Sequence, residues 1–235
     1  MANQSSADVV ITAKASIAKE LFDYIKAVQT DSEYNIINED AFDDIEKPEE
    51  IDTPPDPEAE VYITGWATGR WSYGGSNLPG YFAGRLNDDT WRYEKAAHIT
   101  FAKLVSAIKR KDGYFEIEYK DQEGGAGFID LGTMRIDKTN VDDDQPMISS
   151  ETIDYSISNM METFGYSEYE ALDNMYGDEI ADAWSDYSDQ GGVIEDAESF
   201  YDEYGSDIYE GNFEVEEVLL EEQRKLKEGE ATETP

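Results

Sequence analysis

The residues in this chain that could do chemistry are overwhelmingly carboxylates, and many recur at three- and four-residue steps. One set is Glu168, Glu170 and Asp173, and a second is Asp178, Glu179, Asp182, Asp186 and Asp189. A third set is Glu195, Asp196, Glu198, Asp202 and Glu203, and Asp207, Glu210 and Glu214 follow it. Acids so spaced can act as an acid–base pair, hold a hard cation or display negative charge. Pairs such as Asp182 and Asp186 are a poor sign of acid–base catalysis, because with 55 Asp and Glu in the chain useful spacings arise by chance. For calcium, Asn140, Asp142, Asp144 and Glu151 fall at offsets 1, 3, 5 and 12 of an EF-hand-like loop. The sixth position should be Gly to allow the sharp turn, but it is Gln145, followed by Pro146. No metal site is expected. Displayed charge remains.

Other chemistry is sparse. There is no cysteine, which removes disulfides, thiolate zinc sites and cysteine nucleophiles. The only histidine, His98, falls on the flank of an apolar helical face, where a structural role is expected. The run Gly124–Phe128 (GGAGF) lacks the full glycine fingerprint and follows a hairpin strand, so it is no phosphate loop. No serine elbow, Walker motif or zinc-protease helix occurs. Lys109, Arg110 and Lys111 close a helix and complement its dipole. Neither an enzyme nor a cofactor is expected.

The acid is segregated. From Val141 to Glu222 there are 26 Asp and Glu and no Lys or Arg, within a 235-residue chain of net charge −37. Half of the 26 acids in residues 1–139 lie between Asp31 and Glu60, where Lys47 is the only base, and the rest of that stretch has 13 acids against 14 bases. Such charge repels nucleic acid and anionic membranes and steers the chain toward basic partners. The start (MANQSSADVV) has no basic n-region, and no 18-residue apolar run occurs, so a cytoplasmic protein is expected. Hydrophobic residues make up 39%, enough to build a core rather than leave a solvated acidic tail.

These residues must be positioned by regular elements. Asp8–Ala13 reads as a strand. Ser16 is a candidate N-cap for a helix to about Gln29 with Ile17, Leu21, Ile25 and Val28 on one face. The insert 31–60 holds Pro48, Pro54, Pro55 and Pro57 and reads as an exposed loop, with a short helix at Asn38–Phe42. Val61–Tyr73 predicts a strand, Gly74–Gly80 a turn, Tyr81–Leu86 a short strand and Trp91–Lys109 a helix. Tyr114–Lys120 alternates as a strand, Asp121–Gly125 supplies a turn and Gly127–Ile136 returns. That order predicts an α+β, ferredoxin-like (split βαβ) domain over residues 1–139 with an added hairpin strand.

Residues 140–235 predict a mainly helical acidic domain. Its first helix would carry Ile153, Ile157, Met160, Met161 and Phe164. Ser167 and Glu170 form a capping box for the second, with Tyr169, Leu172, Met175 and Tyr176 along it. Ile180, Ala183, Trp184 and Tyr187 mark a third. Ala197, Phe200, Tyr201 and Tyr204 mark a fourth, stopped at Gly205. Phe213, Val215, Val218, Leu219 and Leu220 lead into a last helix, with fraying from about Gly229. On such helices a four-residue step advances about 6 Å. Duplex DNA carries roughly one charge per 1.7 Å of axis, a density that a few packed acidic helices approach.

The stretch ADAWSDYSDQGG followed by Ala197–Glu217 resembles the acidic repeats of ArdA-type antirestriction proteins. The similarity rests on Tyr204 or Gly205 leading to Tyr209, Gly211 and Phe213, with acids after them. It covers about the last quarter of the chain. Acidic DNA mimicry also recurs among the anti-CRISPR proteins of phages and plasmids. The resemblance implies a DNA-mimic inhibitor from a mobile element that blocks the nucleic-acid site of a host defence nuclease, a restriction enzyme or CRISPR effector, in the host cytoplasm. Two other readings stand beside it. One is an acidic scaffold or regulatory module for a basic protein, with no nuclease inhibition. The other is a merely soluble, halophile-like surface, against which the charge-balanced N-terminal domain argues.

Overall fold

The computed structural model describes residues 4–31, 56–70, 73, 95–123, 127–143 and 147–232. The expected helix at 38–42, the turn at 74–80, the strand at 81–86, residues 124–126 of the glycine-rich run and Asp144 lie outside them, and the helix expected from Trp91 is described from Lys95. The chain divides into two compact units, residues 1–155 and 156–235.

The first unit mixes helix and sheet. Its elements are β1 (Gln4–Lys14), α1 (Ala18–Asp31), β2 (Glu60–Arg70), α2 (Lys95–Lys111), β3 (Phe115–Glu123), β4 (Phe128–Ile136), α3 (Lys138–Asp142) and β5 (Met147–Asp154). The strands form one antiparallel sheet in the order β2-β1-β3-β4-β5. Two-residue alternation assigns its faces. Ala7, Val9, Ile11 and Ala13 of β1, Ile63 of β2, Phe115 and Ile117 of β3, and Met134 and Ile136 of β4 are buried in one core. Ile17, Leu21, Tyr24, Ile25 and Val28, with Leu104, Ala107 and Ile108 of α2, join them there. The three- and four-residue spacing of the apolar residues on α1 and α2 thus fixes which faces these helices bury. The opposite face of the sheet holds a shallow depression of about 890 Å³ that includes Val10, Trp66 and Leu131.

Because β2 and β3 each pair antiparallel with β1, they run in the same direction on either side of it, joined by α2. That is one split βαβ unit. A full ferredoxin-like arrangement needs a second, in which the strand after α1 is separated from β1 by another strand. Here the strand described after α1 is β2, which lies directly beside β1 with Ile11 opposite Ile63. Among the described residues the coarse α+β expectation holds, and the second split unit is not formed.

Several boundaries differ from expectation for physical reasons. The domain break falls after Tyr155 rather than after residue 139. Residues 147–154 pair with β4 from Arg135↔Met147 to Phe128↔Asp154, and the Tyr155 N–H donates to Gly127 O at 3.2 Å. Ile153 is therefore a strand residue opposite Ile129, not the start of a helix. The EF-hand-like spacing forms no loop: Asn140 and Asp142 lie on α3, and Glu151 lies on β5. Asn140 Oδ1 accepts from the Asp137 N–H at 3.0 Å in a capping box, and Asp142 pairs with Lys109 at 2.9 Å. Lys111 is used internally too, donating to Ser16 O at 2.6 Å and pairing with Glu20 at 2.8 Å. Ser16 does not cap α1; it sits inside a 3-10 turn, Ala15–Ile17, that leads into it.

Asp121 was expected in a turn and lies in β3, fully buried, opposite Asp130. One carboxyl oxygen accepts the Tyr73 N–H. Burial is the main reason its pKa is pushed up to about 7, opposed by that hydrogen bond and raised further by Asp130 and Glu123 nearby. A carboxyl whose folded pKa is raised is stabilising in its protonated form. The first unit should therefore lose stability as pH rises from about 4 to about 7. Asp121→Asn keeps an acceptor for the Tyr73 amide and cannot ionise. Thermal unfolding should show it raising Tm at pH 8 and leaving Tm nearly unchanged at pH 4; an unchanged Tm at pH 8 would refute the assignment.

Candidate functional site

The second unit is described entirely as helices: α4 (Ile157–Phe164), α5 (Glu168–Tyr176), α6 (Asp178–Asp189), α7 (Ala197–Tyr209) and α8 (Val215–Thr232). Their starts obey local chemistry. Ser156 caps α4 through the Asn159 N–H, Ser167 and Glu170 form the expected capping box on α5, and Asp196 caps α7 through the Ser199 N–H. Gly165 ends α4 with φ 73°, a left-handed geometry that glycine adopts without a Cβ clash. Gly205 is different from expectation. It is buried within α7 rather than stopping it, and a Cβ there would come within 2.7 Å of the Tyr201 ring. The last helix likewise continues to Thr232, past the expected fraying point.

An aromatic core holds these helices. Trp184 and Tyr187 of α6 pack on Phe200 of α7 with ring centroids 5.2 and 5.0 Å apart. Phe213 closes on Phe200 and Tyr204 at 5.6 and 5.3 Å. Two residues of the resemblance, Tyr204 and Phe213, thus belong to the core. Tyr209, also part of that pattern, donates from Oη to Tyr176 O at 2.6 Å.

Within this core lies one carboxylate that sequence reasoning did not single out. Glu222 of α8 is only 9% exposed. Its Oε1 accepts from Tyr187 Oη at 2.6 Å and Tyr204 Oη at 3.2 Å, and its Oε2 from the Val193 N–H at 3.4 Å. Tyr187 Oη in turn accepts from the Val193 and Ile194 amides at 2.9 and 3.1 Å. Glu222 therefore ties α8 to α6, α7 and the connection between them. Burial first, and the Glu222 carboxylate second, push the Tyr187 and Tyr204 hydroxyls upward. The available signal was helical phase, because Glu222 follows Val215 and Leu219 at steps of four and three on the apolar side.

The carboxylates singled out by spacing are placed otherwise. Of the sixteen, fifteen are exposed: Glu170, Asp173, Asp178, Glu179, Asp182, Asp186, Asp189, Glu195, Asp196, Glu198, Asp202, Glu203, Asp207, Glu210 and Glu214. Glu168 is half-buried, accepting the Trp184 indole N–H at 2.8 Å. None of the sixteen forms an ion pair among the described residues. The unit has three bases, Arg224, Lys225 and Lys227, and the first two pair with Glu221 at 3.9 and 3.3 Å. No group of three or more metal-ligating side chains is assembled among the described residues.

Helix polarity divides these acids. Glu168, Glu170, Asp178, Glu179 and Glu198 occupy first turns, where a carboxylate complements the helix dipole. Hydrogen bonds from Ser167 hold the Glu170 carboxyl below the usual range, and those from Ser199 do the same for Asp196. Asp186 and Asp189 lie in the last turn of α6, and Asp207 in the last turn of α7, where the same dipole opposes them. Fold stability accounts for the first group and not for the second.

Comparison with protein-family models, curated proteins and solved structures finds no match. No described helix is long and apolar enough to cross a membrane.

Removing the internal carboxylate leaves two tyrosine hydroxyls without their acceptor. Glu222→Ala should destabilise the second unit by about 1.5–3 kcal/mol in urea unfolding, and a double-mutant cycle with Tyr187→Phe should show strong coupling. Additive effects of the two changes would remove the latch.

Proposed function

We propose that the second unit is a DNA-mimic surface that occupies the basic nucleic-acid channel of a defence nuclease and so inhibits it. The observation that supports this reading is the set Asp186, Asp189 and Asp207. These acids are exposed, unpaired with any described cation, and sited where helix physics disfavours them. A surface built for solubility alone gains nothing from that placement, because acids elsewhere on the same helices serve equally well. Carboxylates of this surface would stand in for phosphates, with the aromatic core displaying them. The first unit, which we read as a ferredoxin-like variant, would add contacts specific to the target. The protein would act in the cytoplasm, where its target works, binding a basic nucleic-acid-binding protein and not nucleic acid itself. The competing reading is an acidic scaffold for a basic protein with no nuclease inhibition.

The two separate in one experiment: a screen of the full chain against restriction and CRISPR effector complexes, with DNA as competitor and salt varied. A mimic competes with DNA, strongly at low ionic strength and weakly as salt rises. Binding that is unaffected by saturating DNA supports the scaffold. The triple variant Asp186→Asn, Asp189→Asn, Asp207→Asn should weaken inhibition about tenfold at low salt, while each change stabilises its helix by about 0.3–1 kcal/mol. Inhibition unchanged by the triple variant would rule out these positions as the mimic.

A further inference from the structure

A groove of about 480 Å³ opens within the second unit beside α4 and the start of α7. Its floor is apolar, formed by Ile157, Met161 and Ala197, and Met161 remains 37% exposed there. Its rim is acidic, formed by Glu162, Glu168, Asp196 and Glu198. Three of these carboxylates are held in orientation by donors that carry no charge. Glu168 Oε2 accepts the Trp184 indole N–H at 2.8 Å. Glu198 Oε1 accepts the Ile157 N–H at 3.4 Å. Asp196 accepts the Ser199 N–H at 2.8 Å and the Ser199 hydroxyl at 2.9 Å. No described cation lies within 4.0 Å of any of the four.

Neutral donors fix a carboxylate without cancelling it. The rim is therefore ordered and still negative, above a floor that water leaves poorly satisfied. That combination fits a side chain with an apolar stem and a cationic end. Between the two candidates, arginine fits better than lysine. Its planar guanidinium bonds two carboxylates through one fork and lies flat against a thioether or aliphatic surface, whereas an ammonium is a compact, strongly hydrated point charge.

We propose that this groove receives an arginine side chain of a protein partner, its methylenes on Met161 and Ile157 and its guanidinium between the rim carboxylates. This rests on the reading of the second unit as a surface for a basic protein, and it identifies one place on that surface where shape as well as charge selects the contact.

The test needs no nuclease. The full chain is titrated at low salt with the blocked tripeptide Gly-Arg-Gly, and the Trp184 indole and Met161 methyl resonances are followed by NMR. Both should shift and saturate together, because the indole donates to a rim carboxylate and the methyl forms the floor. The same peptide with citrulline, a neutral isostere, should leave both unmoved, and the lysine peptide should bind more weakly. Met161→Ala and Glu162→Gln, both at exposed positions, should each weaken binding roughly threefold on the indole signal, while Met161→Leu and Glu210→Gln should not. Citrulline acting like arginine would overturn the proposal. So would non-saturating shifts spread over all the acidic helices, or Glu210→Gln weakening binding as much as Glu162→Gln. Equal binding of the lysine peptide would overturn the guanidinium preference. A failed competition with DNA leaves this result standing, and diffuse peptide binding overturns the groove without touching the competition result.

Discussion

Everything displayed on the second unit depends on an interior that can absorb a carboxylate. Residues 156–235 carry 24 acids and three bases, and one of those acids, Glu222, points inward. Phenylalanines at 187 and 204 would strip Oε1 of both its donors and leave only the Val193 N–H on Oε2, a costly loss for a buried carboxylate. The tyrosines present there convert the inward acid into a latch, with hydroxyls at 2.6 and 3.2 Å. Two unit charges about 6 Å apart in water repel by well under 1 kcal/mol, and salt screens them further. Burying a large apolar side chain contributes about 1.5–3 kcal/mol. Exposed acids are therefore cheap individually, and an aromatic core with its own acceptor satisfied holds many of them. Fifteen of the sixteen spaced carboxylates stay in water, as this balance requires.

The same balance separates acids that serve the fold from acids that do not. Ser167 with Glu170, and Asp196 with Ser199, start helices by a mechanism that any soluble protein uses. A chain under selection for fold stability alone would keep these and place bases at the helix ends. Instead α5, α6 and α7 have no base in the last turn, and α6 ends on Asp186 and Asp189. Each costs a few tenths of a kcal/mol, small beside the core but uniform in sign. The last-turn acids are therefore the part of this surface that local stability does not explain.

What could be read from the sequence follows from which signals are local. Caps and apolar faces are set by residues three and four apart, so Ser167–Glu170, Trp184 and Tyr187 of α6, and the core face of α1 were legible. Pairing between distant strands is not local. Ile153 is in phase with Ile157 for a helix, yet its place opposite Ile129 depends on a strand two dozen residues earlier. Asp121 precedes a run of glycines and looks like turn chemistry, and only the ladder from Phe115↔Ile136 to Glu123↔Phe128 makes it a buried strand residue. Glycine usually ends helices, but Gly205 instead makes room for the Tyr201 ring. Among the acids, residue type hid Glu222, and only its helical phase distinguished it.

Charge at this density steers but does not discriminate. A field of many carboxylates raises encounter rates with any basic surface, and salt weakens all such encounters alike. Choice of one partner needs contacts whose geometry is fixed before binding, with apolar area to bury. Among the described residues of the second unit, the exposed large apolar side chains include Met161, Tyr169 and Tyr209, at 37%, 40% and 52% exposure. Tyr169 is held by Asp182 at 2.7 Å and Tyr209 by Tyr176 O at 2.6 Å, so neither ring must be ordered when a partner arrives. Rigid aromatic anchors among carboxylates lower the entropic cost of association at the points where they sit. Duplex DNA has no counterpart to them on its phosphate backbone. On the proposed reading, an inhibitor that only copied DNA would bind DNA-binding proteins indiscriminately, and ordered aromatic anchors of this kind would let one target be preferred.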